Sequence, residues 1–177
     1  MKKQLLILAV LFLSIISVNA QSKSDAGIVW GGGINLGLPT GNLGDVTTFG
    51  IGIKLQGEKM FTDQVSGLAS IGYTYFLGKS FDDGNGGTFK YNFGLIPILV
   101  GARYYASTNF FLGAQIGVGI GSFSGGGGSS SGFDYLPQVG YNADAYQVVL
   151  GYNGLSANGG TLNHLDLSFV YKFGGGK

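Results

Sequence analysis

From about residue 28 to residue 173 one pattern recurs eight times: a large apolar residue at every second position, with glycine or a small polar residue between. Successive side chains of extended backbone point to opposite faces, so each segment is a strand with one apolar face and one small, polar face. Ile28, Trp30, Ile34, Leu36 and Leu38 share one parity against Gly31, Gly33, Asn35 and Gly37. Phe49, Ile51, Ile53 and Leu55 then alternate with Gly50, Gly52, Lys54 and Gln56, and Ile71, Tyr73, Tyr75 and Leu77 with Ser70, Gly72 and Thr74. The fourth segment is less regular: Ile96, Ile98, Val100, Ala102 and Tyr104 oppose Leu95, Leu99, Gly101 and Arg103, and Pro97, which has no N–H to donate, predicts a bulge. The fifth is the clearest, with Phe110, Leu112, Ala114, Ile116, Val118 and Ile120 against Gly113, Gln115, Gly117, Gly119 and Gly121. Tyr135, Val139 and Tyr141, then Tyr146, Val148, Leu150 and Tyr152, then Leu165, Leu167, Phe169, Tyr171 and Phe173 complete the set.

A soluble sandwich or barrel turns its large apolar residues inward. Here the small polar parity can line the inside, and an eight-stranded barrel is only just wide enough for side chains to fill. Composition agrees. Charged residues make up 11% of the chain, far below the roughly 25% of soluble domains, while 45% is hydrophobic. The 35 glycines show no three-residue period, which excludes collagen, and 14% aromatic content excludes a disordered chain. Closing the sheet leaves no edge, the one way strands satisfy their backbone groups in lipid. The expected fold is therefore all-β, an eight-stranded antiparallel up-and-down transmembrane β-barrel, each strand near the roughly 9–11 residues that a tilted span requires.

The connections supply a second signal. Those near residues 59–64, 106–109 and 142–145 are short, while those near 39–48, 78–89, 122–132 and 154–163 are longer and rich in glycine, serine, asparagine and aspartate. Strict alternation of short and long is the pattern of outer-membrane barrels, with short periplasmic turns and longer external loops. Aromatics supply a third. Trp30, Phe61, Tyr104, Phe110, Tyr141, Tyr146, Tyr171 and Phe173 all fall at the short-turn end, as a periplasmic aromatic girdle would.

Residues 1–20 read as an address. Lys2 and Lys3 precede an apolar run from Leu5 to Val18, and Val18-Asn19-Ala20 places small residues at −3 and −1, which predicts a secretory signal peptide cleaved after Ala20. Residues 21–177 then form one barrel domain. Without Lys2 and Lys3 it carries 8 basic and 9 acidic residues, and nothing suggests nucleic acid as partner. Cysteine is absent, so disulfides, thiolate metal sites and a lipidated cysteine are all excluded.

With the leader ending at Ala20-Gln21, the segment Ile96-Pro97-Ile98 running to Gly101-Ala102-Arg103-Tyr104-Tyr105, and the last strand Leu165–Phe173, the chain resembles the small outer-membrane β-barrel domain family. That family shares its architecture with the OmpA/OmpX-type barrels among porin-like outer membrane proteins. The resemblance implies location in a Gram-negative outer membrane, with outer-membrane lipid, periplasmic chaperones and the barrel-insertion machinery as partners. Members commonly end on an aromatic that the machinery reads; here Phe173 is followed by Gly174, Gly175, Gly176 and Lys177.

Few residues could carry chemistry. His164, the one histidine, shares a face with Asp166 and Ser168, the ingredients of acyl transfer. On a strand, i and i+4 lie about 13 Å apart, too far for a His–Ser hydrogen bond, and no G-x-S-x-G elbow is present. Gly31-Gly32-Gly33 and Gly125–Gly128 lack the residues of a phosphate loop, and Asp82-Asp83-Gly84-Asn85 lacks the rest of a calcium loop. No cofactor, metal or catalytic set is expected. The inward parity carries Lys54, Glu58, Arg103, Asp166 and Lys172, which must pair or stay hydrated in a narrow barrel. Glu58, Arg103 and Lys172 are expected to form a plug near the periplasmic end. The function expected is a non-enzymatic barrel with a filled lumen, in a structural or surface-contact role; the alternative is a small pore or one subunit of a transport or secretion assembly.

Overall fold

The computed structural model of the chain describes residues 27–82, 84, 87–124 and 128–173. The expected leader and cleavage site, the glycines at 125–127, and the four residues after Phe173 lie outside the described residues, as do Asp83 and Asn85 of the calcium-like stretch.

Eight long strands wind up and down: β1 (Val29–Thr40), β2 (Thr47–Met60), β3 (Val65–Gly78), β6 (Phe93–Tyr105), β7 (Phe110–Phe123), β8 (Ser129–Asn142), β9 (Tyr146–Ala157) and β10 (Gly160–Phe173). Each pairs antiparallel with its chain neighbour, and β1 also pairs with β10, from Trp30 opposite Phe173 to Thr40 opposite Asn163, closing the barrel. A short helix α1 (Gly41–Val46) follows β1, and a small hairpin of β4 (Ser80–Asp82) and β5 (Thr88–Lys90) stands between β3 and β6. The large apolar parity faces outward: Ile34, Leu112 and Phe169 are each about half exposed and Ile53 more so. The other parity is buried. Gln115 and Ser168, which point inward, are 1% and 0% exposed.

The strands run to 12–14 residues, longer than the periodicity suggested. Pairing continues through residues whose composition reads as loop: Ser129–Gly132 pair with Gly119–Ser122, and Gly160 pairs with Ala157. The expected loop at 154–163 is thus a two-residue turn at the tip of a protruding hairpin. Its centre, Asn158 and Gly159, has φ of 51° and 78°, the type I′ geometry whose twist matches that of the flanking strands. Gly159→Ala is expected to destabilise the barrel by about 1–2 kcal/mol, the cost of a Cβ in the left-handed region, as a lowered urea midpoint for unfolding.

The bulge expected at Pro97 is absent. Pro97 lies opposite Gly119 of β7 in unbroken register, and on the β3 side the same register holds from Ile71–Ile98 to Thr74–Leu95. The β3 ladder lapses for the two pairs between. Pro137 behaves likewise, opposite Ala114 on one side while the β9 ladder lapses between Tyr135–Gly154 and Gln138–Gly151. A strand residue offers its N–H to one neighbour only, so a proline costs ladder pairs on that side without shifting the register. The described irregularity of register falls in β2 instead, between Thr47 and Gly50.

Candidate functional site: the barrel interior

The interior is stacked in layers along the axis. At the turn end lies a vestibule of about 490 Å³, bounded by Val29, Met60, Tyr105, Asn142 and Lys172, with Glu58 and Gln147 at its inner limit. There the barrel is crossed by a charged network. Arg103 Nη1 donates to Glu58 Oε2 at 2.6 Å and to Gln147 Oε1 at 3.0 Å, and Nη2 reaches Gln56 Oε1 at 3.4 Å. Glu58 also accepts from Ser66 Oγ at 2.5 Å, from the Tyr105 hydroxyl at 2.6 Å and from Gln147 Nε2 at 3.1 Å. The Arg103 guanidinium lies over the Phe111 ring, 4.4 Å from its centroid. Both charged side chains are buried, at 1% and 7% exposure. A carboxylate with four charge-assisted hydrogen bonds can be kept out of water; one with none could not.

Lys172 is not a direct member of this network. It stands in the vestibule, donating to Asn142 Oδ1 at 3.0 Å and to the Ala143 carbonyl, and Asn142 in turn accepts from Gln147 Nε2 at 3.1 Å. Two shared amides therefore separate Lys172 from Glu58.

A second network occupies mid-height. Lys54 Nζ donates to Asp166 Oδ1 at 3.2 Å and Ser168 Oγ at 2.9 Å. Ser168 donates back to Asp166 at 2.5 Å, while Asn35 Nδ2 donates to Asp166 Oδ2 and to Thr74 Oγ1, both at 2.8 Å. The space bounded by these groups, Leu99, Leu136 and Asn153 is about 10 Å³, about the room of one water. His164 shares this layer but not its hydrogen bonds. Its ring meets Phe76 edge-on at 4.9 Å, and Nδ1 has no partner among the described residues. Histidine, aspartate and serine on this face thus form no relay: Ser168 is fully buried and spends its proton on Asp166.

Toward the loop end the interior is apolar, which the small polar parity did not suggest. Leu43 of α1, Phe76, Phe93, Leu95 and Leu155 form a core cluster, none more than 2% exposed, with Phe123, Ala157 and Leu162 against it. Glycines make the room. A methyl on Gly50 would lie 2.6 Å from Phe76 Cδ1, and one on Gly121 2.7 Å from Phe93 Cζ. Asp134 was also missed. It is fully buried on β8, taking a hydrogen bond from Asn153 Nδ2 at 2.6 Å.

Outside, Trp30, Phe61, Tyr104, Phe110, Tyr141, Tyr146, Tyr171 and Phe173 all face outward at the turn end, between 38% and 60% exposed. Phe110 meets Tyr141 edge-on at 5.2 Å, and Tyr146 stacks on Phe169 at 5.3 Å. Three of these rings lie over glycines of the same face: Phe173 over Gly32, Trp30 over Gly57 and Phe61 over Gly67, at 3.2, 3.2 and 2.7 Å from where a Cβ would stand. Tyr73 and Tyr135 cover Gly94 and Gly154 in the same way. Every outward glycine of the described strands thus lies under an aromatic ring, which restores the contact area it lacks.

No protein-family model matches the sequence, and no curated protein does. Solved structures do. The attachment invasion locus protein Ail of Yersinia pestis superposes with a TM-score of 0.56 at 14% identity, covering 82% of this chain and 97% of that one. Its complex with the heparin analogue sucrose octasulfate gives 0.58 at 15%, with the same coverage. Neisserial surface protein A (NspA) gives 0.53 at 18%, covering 84% and 98%. With its strand count, closure and inverted packing, the chain has the fold of the small eight-stranded outer-membrane β-barrels.

Proposed function

We propose that this chain is an integral outer-membrane barrel without enzymatic activity, exported through a cleaved leader, with a filled lumen and a structural or surface-contact role. The observation that carries the reading is the inversion of the packing. Large apolar residues cover the outside, while the inside holds charge pairs, amides and a small apolar core. In water that exterior would be an aggregating surface; in a bilayer it is the correct one. The belt of eight turn-end aromatics fits the level of the lipid headgroups.

The charged crossing at Glu58–Arg103 and the apolar cluster around Phe76 lie at different heights, so an ion would have to displace both. The sulfated ligand of Ail is not carried over. Among the described residues the loop end has Lys79 and Lys90 against Asp45 and Asp82, a poor match for a polyanion.

The protein is expected to remain with outer membranes after carbonate washing, to run at a heat-dependent position on a gel, and to give no steady current in a planar bilayer. Release by carbonate would overturn the membrane reading. Steady, sizeable single-channel currents would overturn the filled lumen and favour the pore.

A further inference from the structure

The outer wall of the barrel has a dent. On the outward face of β1, β2, β3 and β6, one cross-paired row runs Trp30, Gly57, Ala69, Val100. Its two middle members have almost no side chain. The next row toward the loop end is Leu55, Ile71, Ile98. Between them lies an apolar groove of about 330 Å³, floored by Ala69 and walled by Trp30, whose ring leans over Gly57.

A second feature lies one row nearer the turn. Lys59 lies on the same strand and face as Gly57, two residues nearer the turn, so about 7 Å away. Among the described residues it is the one charged residue on the outward parity of the eight barrel strands; Lys54, Glu58, Arg103, Asp134, Asp166 and Lys172 all face inward. Its ammonium donates to no described residue and pairs with no described carboxylate. A lysine on a lipid-facing wall is costly at mid-bilayer and cheap only near the interface. Lys59 adjoins the turn that carries Phe61, at the level of the aromatic belt.

We propose that the groove and Lys59 form one site for a phospholipid of the periplasmic leaflet, its acyl chain lying on Ala69 beside the Trp30 ring and its phosphate on the Lys59 ammonium. This rests on the membrane placement argued above. An unfilled dent forfeits dispersion contacts along its whole lining, and a flexible chain fills it without a matching shape. A second copy of the barrel is the poorer occupant: a two-fold contact through this patch would bring two Lys59 ammonium groups together in a low-dielectric setting.

Trp30 is the chain's one tryptophan, so the groove carries its own probe. The full barrel, refolded in phosphatidylcholine vesicles, is titrated with phosphatidylglycerol or phosphatidylcholine brominated on the acyl chain. Brominated phosphatidylglycerol is expected to quench Trp30 roughly fivefold more effectively than its mole fraction predicts, the preference one lysine near the headgroups confers. Brominated phosphatidylcholine should follow mole fraction. Lys59→Gln should abolish the preference and Lys59→Arg keep it, while Ala69→Leu, which fills the floor, should weaken quenching by either lipid. Heat-dependent gel mobility confirms that each variant is folded. Equal quenching by the two lipids in the unaltered protein, or a preference that survives Lys59→Gln, would overturn the site. So would a vesicle-embedded barrel with unquenched Trp30 and cross-linked dimers, which would mark a second copy instead. Failure of the membrane reading looks different: the protein would not float with the vesicles at all.

Discussion

Replacing Arg103 by methionine is expected to destabilise the barrel by about 3–5 kcal/mol, the cost of leaving a buried carboxylate without its counter-charge. Glu58 would keep its bonds from Ser66, Tyr105 and Gln147, but these are neutral donors and cannot balance its charge. The measurement is urea unfolding in detergent micelles, followed by loss of the heat-resistant gel form. The midpoint should fall with little change in slope, because the exposed surface is the same. The double variant Glu58→Gln, Arg103→Met should recover most of the loss, since it removes the orphaned charge along with the arginine. Arg103→Lys should not. A lysine ammonium cannot reach Glu58, Gln147 and Gln56 together while lying flat on Phe111. An unchanged midpoint for Arg103→Met would mean that the pair contributes nothing to the folded state.

Parity makes much of this legible in the sequence. Alternation assigned Lys54, Arg103 and Asp166 to the same side of the sheet as the glycines, and the inside is where they lie. Alternation does not assign height or partner. Asn35 and Asp166 are 131 residues apart and meet only because β1 closes on β10, while Lys172, on the expected face, falls in the mouth rather than against Glu58. Where both parities are apolar, alternation has nothing to read. Phe76 shares the inward parity of Ser70, Gly72 and Thr74 but stands between Tyr75 and Leu77, and Phe93 falls before the alternation of its segment begins at Leu95; the room for their rings comes from Gly37, Gly50 and Gly121 on other strands. Asn158-Gly159 was a readable hairpin signal, masked by the polar residues around it. Pro97 misleads in the other direction, because a missing donor does not entail a missing register. Asp134 lay one position before the apparent start of its strand, yet it shares parity with Gln138, and extending the alternation by a single residue would have placed it inside.

The apolar end of the lumen gives the other large effect. Phe76→Ala should cost about 3–5 kcal/mol, the range for emptying a buried aromatic site whose surroundings relax only partly. Closed-barrel strands are held on both sides by ladder hydrogen bonds, so collapse onto the void is restricted and the upper part of the range is expected. The same ring predicts an opposite perturbation. A methyl at Gly50 would stand 2.6 Å from Phe76 Cδ1, and one at Gly37 2.7 Å from Cε1. Gly50→Ala should therefore overpack the site by about 1–3 kcal/mol. Combined with Phe76→Leu, whose smaller side chain vacates that space, the alanine should cost markedly less than it does alone. That non-additivity is the sharp test, because a glycine needed only for strand flexibility would show the same penalty beside leucine as beside phenylalanine. Gly50→Ala and Arg103→Met share no contacts and lie in different layers, so their unfolding midpoints should shift additively to within about 0.5 kcal/mol. Strong coupling between those two would mean that the lumen behaves as one continuous plug, with the polar and apolar layers rearranging together.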